Sequence, residues 1–159
     1  RENFGDQFQI EVAAYPEMHP QAANFLADLK NFRRKVDAGA NSAITQYFYN
    51  ADAYARFVEA CHDLGVNIPI VPGIMPIMNF TSLVRFSDAC GAEIERAKSE
   101  SLKAFGDDTA SIREFGAEVV TRLCAQLLAQ GAPGLHFYTM NQADPTLTIW
   151  DNLGLSSQS

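Results

Sequence analysis

The chain has 159 residues, 47% of them hydrophobic and 19% charged, with a formal net charge of −7. That length suits one domain with a sizeable core, and the composition excludes a disordered tail. The acidic balance opposes nonspecific binding to nucleic acid or anionic lipid, and no apolar run approaches a membrane span.

The first strand is expected in "FQIEVAA", Phe8 to Ala14, and Tyr15-Pro16 ends it. Pro20 is expected to open a helix running to about Ala38. Its apolar stripe is Phe25, Leu29, Phe32 and Val36, at steps of four, three and four. Gly39 stops this helix, and "ANSAITQYF" reads as the second strand. Asn50 is a plausible cap for a helix from Ala51 to Leu64, with Tyr54, Phe57, Val58 and Cys61 facing inward.

"IPIVPG" predicts a short apolar strand between prolines. Helical patterns follow at Phe80 to Ala89 and Glu95 to Phe105. A long helix is expected from about Ser111 to Gln130, with Ile112, Phe115, Val119, Leu123 and Leu127 inside. "GLHFYTM" is the fourth strand, and a last helix takes Asp144 as cap and Pro145 in its first turn.

Helices between successive strands demand a parallel sheet, and such a sheet gathers its binding residues at the strands' carboxyl ends. Tyr15, His19, Gln46, the "PGIMPIMNF" loop, Thr139 and Asn141 should therefore share one rim. Four strands fit either half of an eight-stranded barrel or a small open sheet. No G-x-G-x-x-G or phosphate-loop run is present.

On the first helix, Asp28, Asn31 and Lys35 form a polar flank that suits an anion or hydroxyls, or else an ordinary solvated face. Tyr15 could stack on a planar ligand, and His19 could hold a phosphate or a ring edge. Gln46 carries both a donor and an acceptor for a heterocyclic edge. Phe80 and Phe86 read first as core residues. The basic knot "RRK" at Arg33 to Lys35 could serve a local phosphate. Cys61, Cys90 and Cys124 lie far apart among apolar residues, with no CxxC pair. They read as buried free thiols of a reducing, cytoplasmic compartment rather than metal ligands.

The segments "VAAYPEMHP", "KVDAGANSAITQYFYN", "PIVPGIMPI" and "GAPGLHFYTMN" resemble methylenetetrahydrofolate reductase of the bacterial type, in order and over almost the whole chain. The resemblance implies an α/β fold: the parallel-stranded half of a (β/α)8 TIM barrel, four strands with helical crossovers, spanning residues 1–159 as barrel strands five to eight. It implies a flavin enzyme in which FAD takes hydride from NADH or NADPH and then passes it to 5,10-methylenetetrahydrofolate, yielding 5-methyltetrahydrofolate.

By the same resemblance, Tyr15, His19, Ala22, Asp28, Asn31 and Lys35 line the FAD site. Gln46 contacts folate and nicotinamide in turn, and Phe86 stacks on them. Ser82 and Gln142 stand where relatives often carry a folate-touching glutamine and arginine. The catalytic glutamate and a flavin-tuning aspartate belong to earlier barrel strands, so no catalytic residue is assigned here. The chain is then expected to be inactive alone and to pair with another copy or with an N-terminal half. The alternative is a noncatalytic or engineered half-barrel that self-associates or rearranges, with at most a remnant flavin or phosphate site. An aldolase-type barrel piece would need a lysine at a strand end, and none is seen.

Overall fold

The computed structural model of the protein describes residues 4–82, 84–85 and 108–155. In chain order these form β1 (Glu11–Ala14), α1 (Phe25–Asp37), β2 (Ser42–Thr45), α2 (Ala51–Asp63), β3 (Ile70–Val71), β4 (Gly73–Ile74), α3 (Thr109–Ala129), β5 (His136–Phe137) and α4 (Asp144–Asn152). Residues 80–82 and 84–85 are also helical.

Every strand pairing among the described residues is parallel. Glu11 to Ala14 lie opposite Ser42 to Thr45, Ala43 and Ile44 opposite Ile70 and Val71, and Gly73 and Ile74 opposite His136 and Phe137. The "IPIVPG" segment serves two neighbours. Before Pro72 it pairs with β2, and after Pro72 with β5. Proline has no N–H to give to a ladder, so the change of partner falls there. The Pro72 carbonyl itself accepts from the His136 N–H at 3.0 Å. Taken as one bent segment, residues 70–74 complete a four-position parallel array with helical crossovers, the α/β architecture expected. The described strands do not close into a barrel.

The helices show why the sequence folds as it does. In α1, Leu29 and Phe32 are buried and Val36 packs against the core, while Phe25 at the start of the stripe is 38% exposed. The helix begins later than Pro20, because the Asn24 side chain accepts from the Ala27 N–H and caps it. Asn50 caps α2 as expected, accepting from the Asp52 N–H. Tyr54, Phe57 and Cys61 are buried, each large side chain contributing about 1.5–3 kcal/mol from removal of apolar surface. Phe57 meets Phe32 at a ring separation of 5.6 Å, which joins α1 to α2.

Asp108 caps α3 by accepting from the Ala110 and Ser111 N–H groups. Along α3, Ile112, Leu123 and Leu127 are buried, and Phe115 and Val119 pack beside them. Gly116 allows the closest approach: a Cβ there would stand 2.5 Å from the Ile77 carbonyl oxygen. Helix α4 starts one residue earlier than expected. Ala143 occupies the cap position without a side-chain bond, and Asp144 lies in the first turn, where its charge suits the positive end. Phe80, expected in the core, is 48% exposed.

Candidate functional site

The strand exits converge through hydrogen bonds. The Gln46 N–H donates to the Ala14 carbonyl at 2.8 Å, which holds the end of β2 beside the end of β1. The Gly73 N–H donates to the Thr45 hydroxyl at 2.8 Å, and the Tyr138 hydroxyl donates to the Thr45 carbonyl at 3.0 Å. The ends of β1, β2 and β5 and the bend between β3 and β4 thus meet around Thr45. Burial, with the nearby Tyr15 phenol as a lesser cause, pushes the Tyr138 phenol above its usual range.

One corner of this rim is built by β1 and α1. The chain leaves β1 through a turn in which Met18 takes a positive φ of 79° and its N–H donates to the Tyr15 carbonyl. That turn sets the Tyr15 and His19 rings edge to face, with centroids 4.5 Å apart. Asp28 holds the turn from the helix side, accepting from the His19 backbone N–H at 2.8 Å. His19 Nδ1 accepts from the Gln21 N–H at 3.0 Å. The proton of the neutral ring is thereby assigned to Nε2, which becomes a donor. Ala22 closes the turn by donating its N–H to the His19 carbonyl.

Lys35 reaches back along α1, and its ammonium donates to the Ala13 carbonyl at 2.9 Å. Asn31 sits between Asp28 and Lys35 on the helix and is exposed. The basic knot is divided in use. Arg33 pairs with Asp37 at 2.7 Å and donates to the Leu64 carbonyl, so it ties α1 to the end of α2. Lys35 of the knot is drawn to the strand edge. The corner therefore offers an ammonium, an imidazole N–H and a phenol, a donor set suited to an anionic cofactor with a planar portion.

The second corner is aromatic. Tyr47 lies 6.4 Å from Tyr138 and 6.0 Å from Tyr49 between ring centroids, and its hydroxyl accepts from Arg85 at 3.1 Å. Gln46 is exposed beside it, with its side-chain oxygen accepting from the Tyr47 N–H at 3.0 Å. Past β5, Met140 and Asn141 take left-handed backbone angles of 49° and 60° in φ, and the Gln142 N–H donates to the Thr139 carbonyl. Ser82 is engaged locally: its hydroxyl donates to the Asn79 carbonyl at 2.9 Å. Phe86 and Cys90 lie outside the described residues.

The sequence reading passed over Thr45, Tyr47 and Arg85 as site residues and named Gly73 only within the "PGIMPIMNF" loop. A threonine ending an apolar strand and a glycine directly after Pro72 were the available signals. Among the described residues, no group of three or more His, Cys, Asp or Glu could hold a metal ion, and no helix is long and apolar enough to cross a membrane. A separate cleft of about 310 Å³ between α3 and α4 is lined by Arg113, Pro145 and Ile149 and by Pro76 and Ile77 of the loop expected at the rim.

The methylenetetrahydrofolate reductase family model matches residues 1–154. The chain belongs to this family. A 5,10-methylenetetrahydrofolate reductase of Buchnera aphidicola is 40% identical over 93% of the chain, which covers 51% of that protein. Methylenetetrahydrofolate reductase (NADH) 1 of Arabidopsis thaliana is 37% identical over 100% of the chain and 28% of the relative. The chain thus spans about half of the bacterial reductase and about a quarter of the plant one.

Among solved structures, an uncharacterized Clostridium thermocellum protein that binds two copies of 5-methyl-5,6,7,8-tetrahydrofolic acid superposes with a TM-score of 0.54 at 18% identity. It covers 93% of this chain, and 53% of that chain is matched. At that identity the likeness concerns the fold.

Proposed function

We propose that the chain supplies the flavin-facing and folate-facing residues of a reductase that converts 5,10-methylenetetrahydrofolate to 5-methyltetrahydrofolate with NAD(P)H. The observation that carries this reading is the shared rim, where Tyr15, His19 and Lys35 stand at one corner and Gln46 beside the next strand exit. FAD would be held by Tyr15, His19, Ala22, Asp28, Asn31 and Lys35, and when bound it supplies two-electron hydride chemistry.

Each residue has a definable task. The Lys35 ammonium neutralises phosphate charge, and the His19 Nε2–H donates to a phosphate oxygen and orients it. Asp28 keeps the His19 turn in place through the backbone N–H. Tyr15 gives an aromatic edge to a planar group, and Gln46 reads the polar edge of folate or nicotinamide in turn. Phe86 is the proposed stacking partner for both.

The chain corresponds on this reading to barrel strands five to eight, and turnover draws its catalytic glutamate and flavin-tuning aspartate from strands one to four. The test is to combine the chain with the N-terminal half of a relative, add FAD, and follow NADH oxidation with 5,10-methylenetetrahydrofolate present. Turnover that needs both halves supports the reading. A stable FAD-loaded complex with no folate-dependent oxidation would leave the noncatalytic half-barrel.

A further inference from the structure

Thr45 carries the one aliphatic hydroxyl in the buried set of the described residues, at 0% exposure. Burying a hydroxyl is costly unless it is bonded, so its bonds identify what it does. Its hydroxyl accepts from the Gly73 N–H at 2.8 Å and its carbonyl from the Tyr138 hydroxyl at 3.0 Å. A Cβ on Gly73 would fall 2.2 Å from the Thr45 carbonyl oxygen and 2.7 Å from Tyr138 Cε2, so glycine alone lets the three groups converge.

The Thr45 carbonyl and the Gln46 N–H are the two ends of one planar peptide unit. The carbonyl end is held by Tyr138, and the N–H end donates to Ala14 at 2.8 Å. Both ends of the unit that aims Gln46 are therefore pinned. Beyond it, the Gln46 side-chain oxygen accepts from the Tyr47 N–H at 3.0 Å. Only an oxygen can accept there, so the amide orientation is fixed and the NH2 remains to meet a ligand.

We infer that Thr45 is a positioning residue for ligand recognition, fixing Gln46 so that it presents an amide donor to a carbonyl or ring-nitrogen acceptor on the folate. This rests on the reading of Gln46 given above. Thr45 cannot touch the ligand itself. Its hydroxyl fixes the Gly73 backbone beside the end of β2, while Tyr138 and Ala14 hold the peptide unit that carries Gln46.

The test uses FAD-loaded holoenzyme with 5-methyltetrahydrofolate as the titrated ligand, and apo protein for amide hydrogen exchange. Thr45→Val and Tyr138→Phe should each weaken folate binding about five- to tenfold, the worth of one or two lost hydrogen bonds, with FAD affinity held within about twofold. Thr45→Ser, which keeps the acceptor, should bind as the parent does. In apo Thr45→Val, exchange at the Gln46 and Gly73 amides should quicken.

If Gln46→Ala weakens folate binding but Thr45→Val and Tyr138→Phe do not, the inference fails and the site reading stands. If Gln46→Ala changes nothing, both fail. An equal loss of FAD affinity in Thr45→Val, or a Thr45→Ser variant as impaired as Thr45→Val, would reduce Thr45 to a structural residue. Should Thr45→Val not fold, Tyr138→Phe with the same two ligands decides the matter.

Discussion

The Lys35 ammonium donates to the Ala13 carbonyl at 2.9 Å, from a helix to the outer edge of β1. The Ile10 and Ala14 carbonyls accept from the β2 side, at the Asn41 and Gln46 N–H groups. Strand alternation therefore turns the Ala13 carbonyl to the other edge. A lysine placed on an edge that is unpaired among the described residues opposes strand addition, and the same charge stands ready for an anion at the strand exit.

Replacing this lysine separates the two effects. Lys35→Ala should weaken FAD binding about tenfold or more, the range expected for loss of a charge-assisted hydrogen bond, as read by quenching of flavin fluorescence. It should also raise the sedimentation-average mass, because the β1 edge loses its guard. Parent-like FAD affinity would remove Lys35 from the cofactor corner.

Gly116 sets the distance between α3 and the loop after β4. An added Cβ would lie 2.5 Å from the Ile77 carbonyl oxygen and 2.8 Å from the Ile77 Cβ. Gly116→Ala gains helix propensity but overpacks this contact, so the net expectation is a loss of about 1–3 kcal/mol. Urea unfolding measures it: the midpoint should fall with the slope unchanged.

The alkaline limb of stability is governed by buried acids that stay protonated. The Tyr54 phenol donates to the Ile70 carbonyl at 2.7 Å, and burial pushes it up to about 12 from 10.0. Burial likewise pushes the Cys61 and Cys124 thiols up to about 12 from 9.0. Between those limits the native state keeps protons that the unfolded chain has released, so stability falls as pH rises. The thiols begin the decline above pH 9.0 and Tyr54 adds to it above pH 10.0, with the loss complete near pH 12. Thermal midpoints across this range should follow that course, and Tyr54→Phe should make the upper part shallower.

Much of this architecture could be read from local pattern. The stripe of α1, the Asn50 cap and the polar flank of Asp28 and Lys35 all follow from spacing along one helix. Boundaries were harder where two residue types compete. Pro20 suits a helix start, yet Asn24 has the side-chain acceptor that satisfies the first turn. Pro72 could be placed at a strand margin, but a change of partner strand at that residue depends on neighbours distant in sequence. The Tyr138 hydroxyl and the Thr45 carbonyl are 93 residues apart, and no local periodicity reports such a bond.

The central claim is that one rim at the strand exits receives the flavin. Amide shift mapping on addition of FAD tests it most directly. The account predicts shifts concentrated at residues 13–22, along the Asp28, Asn31 and Lys35 face of α1, and at Gln46. Shifts confined to the cleft between α3 and α4, or no shifts at saturating FAD, would contradict it.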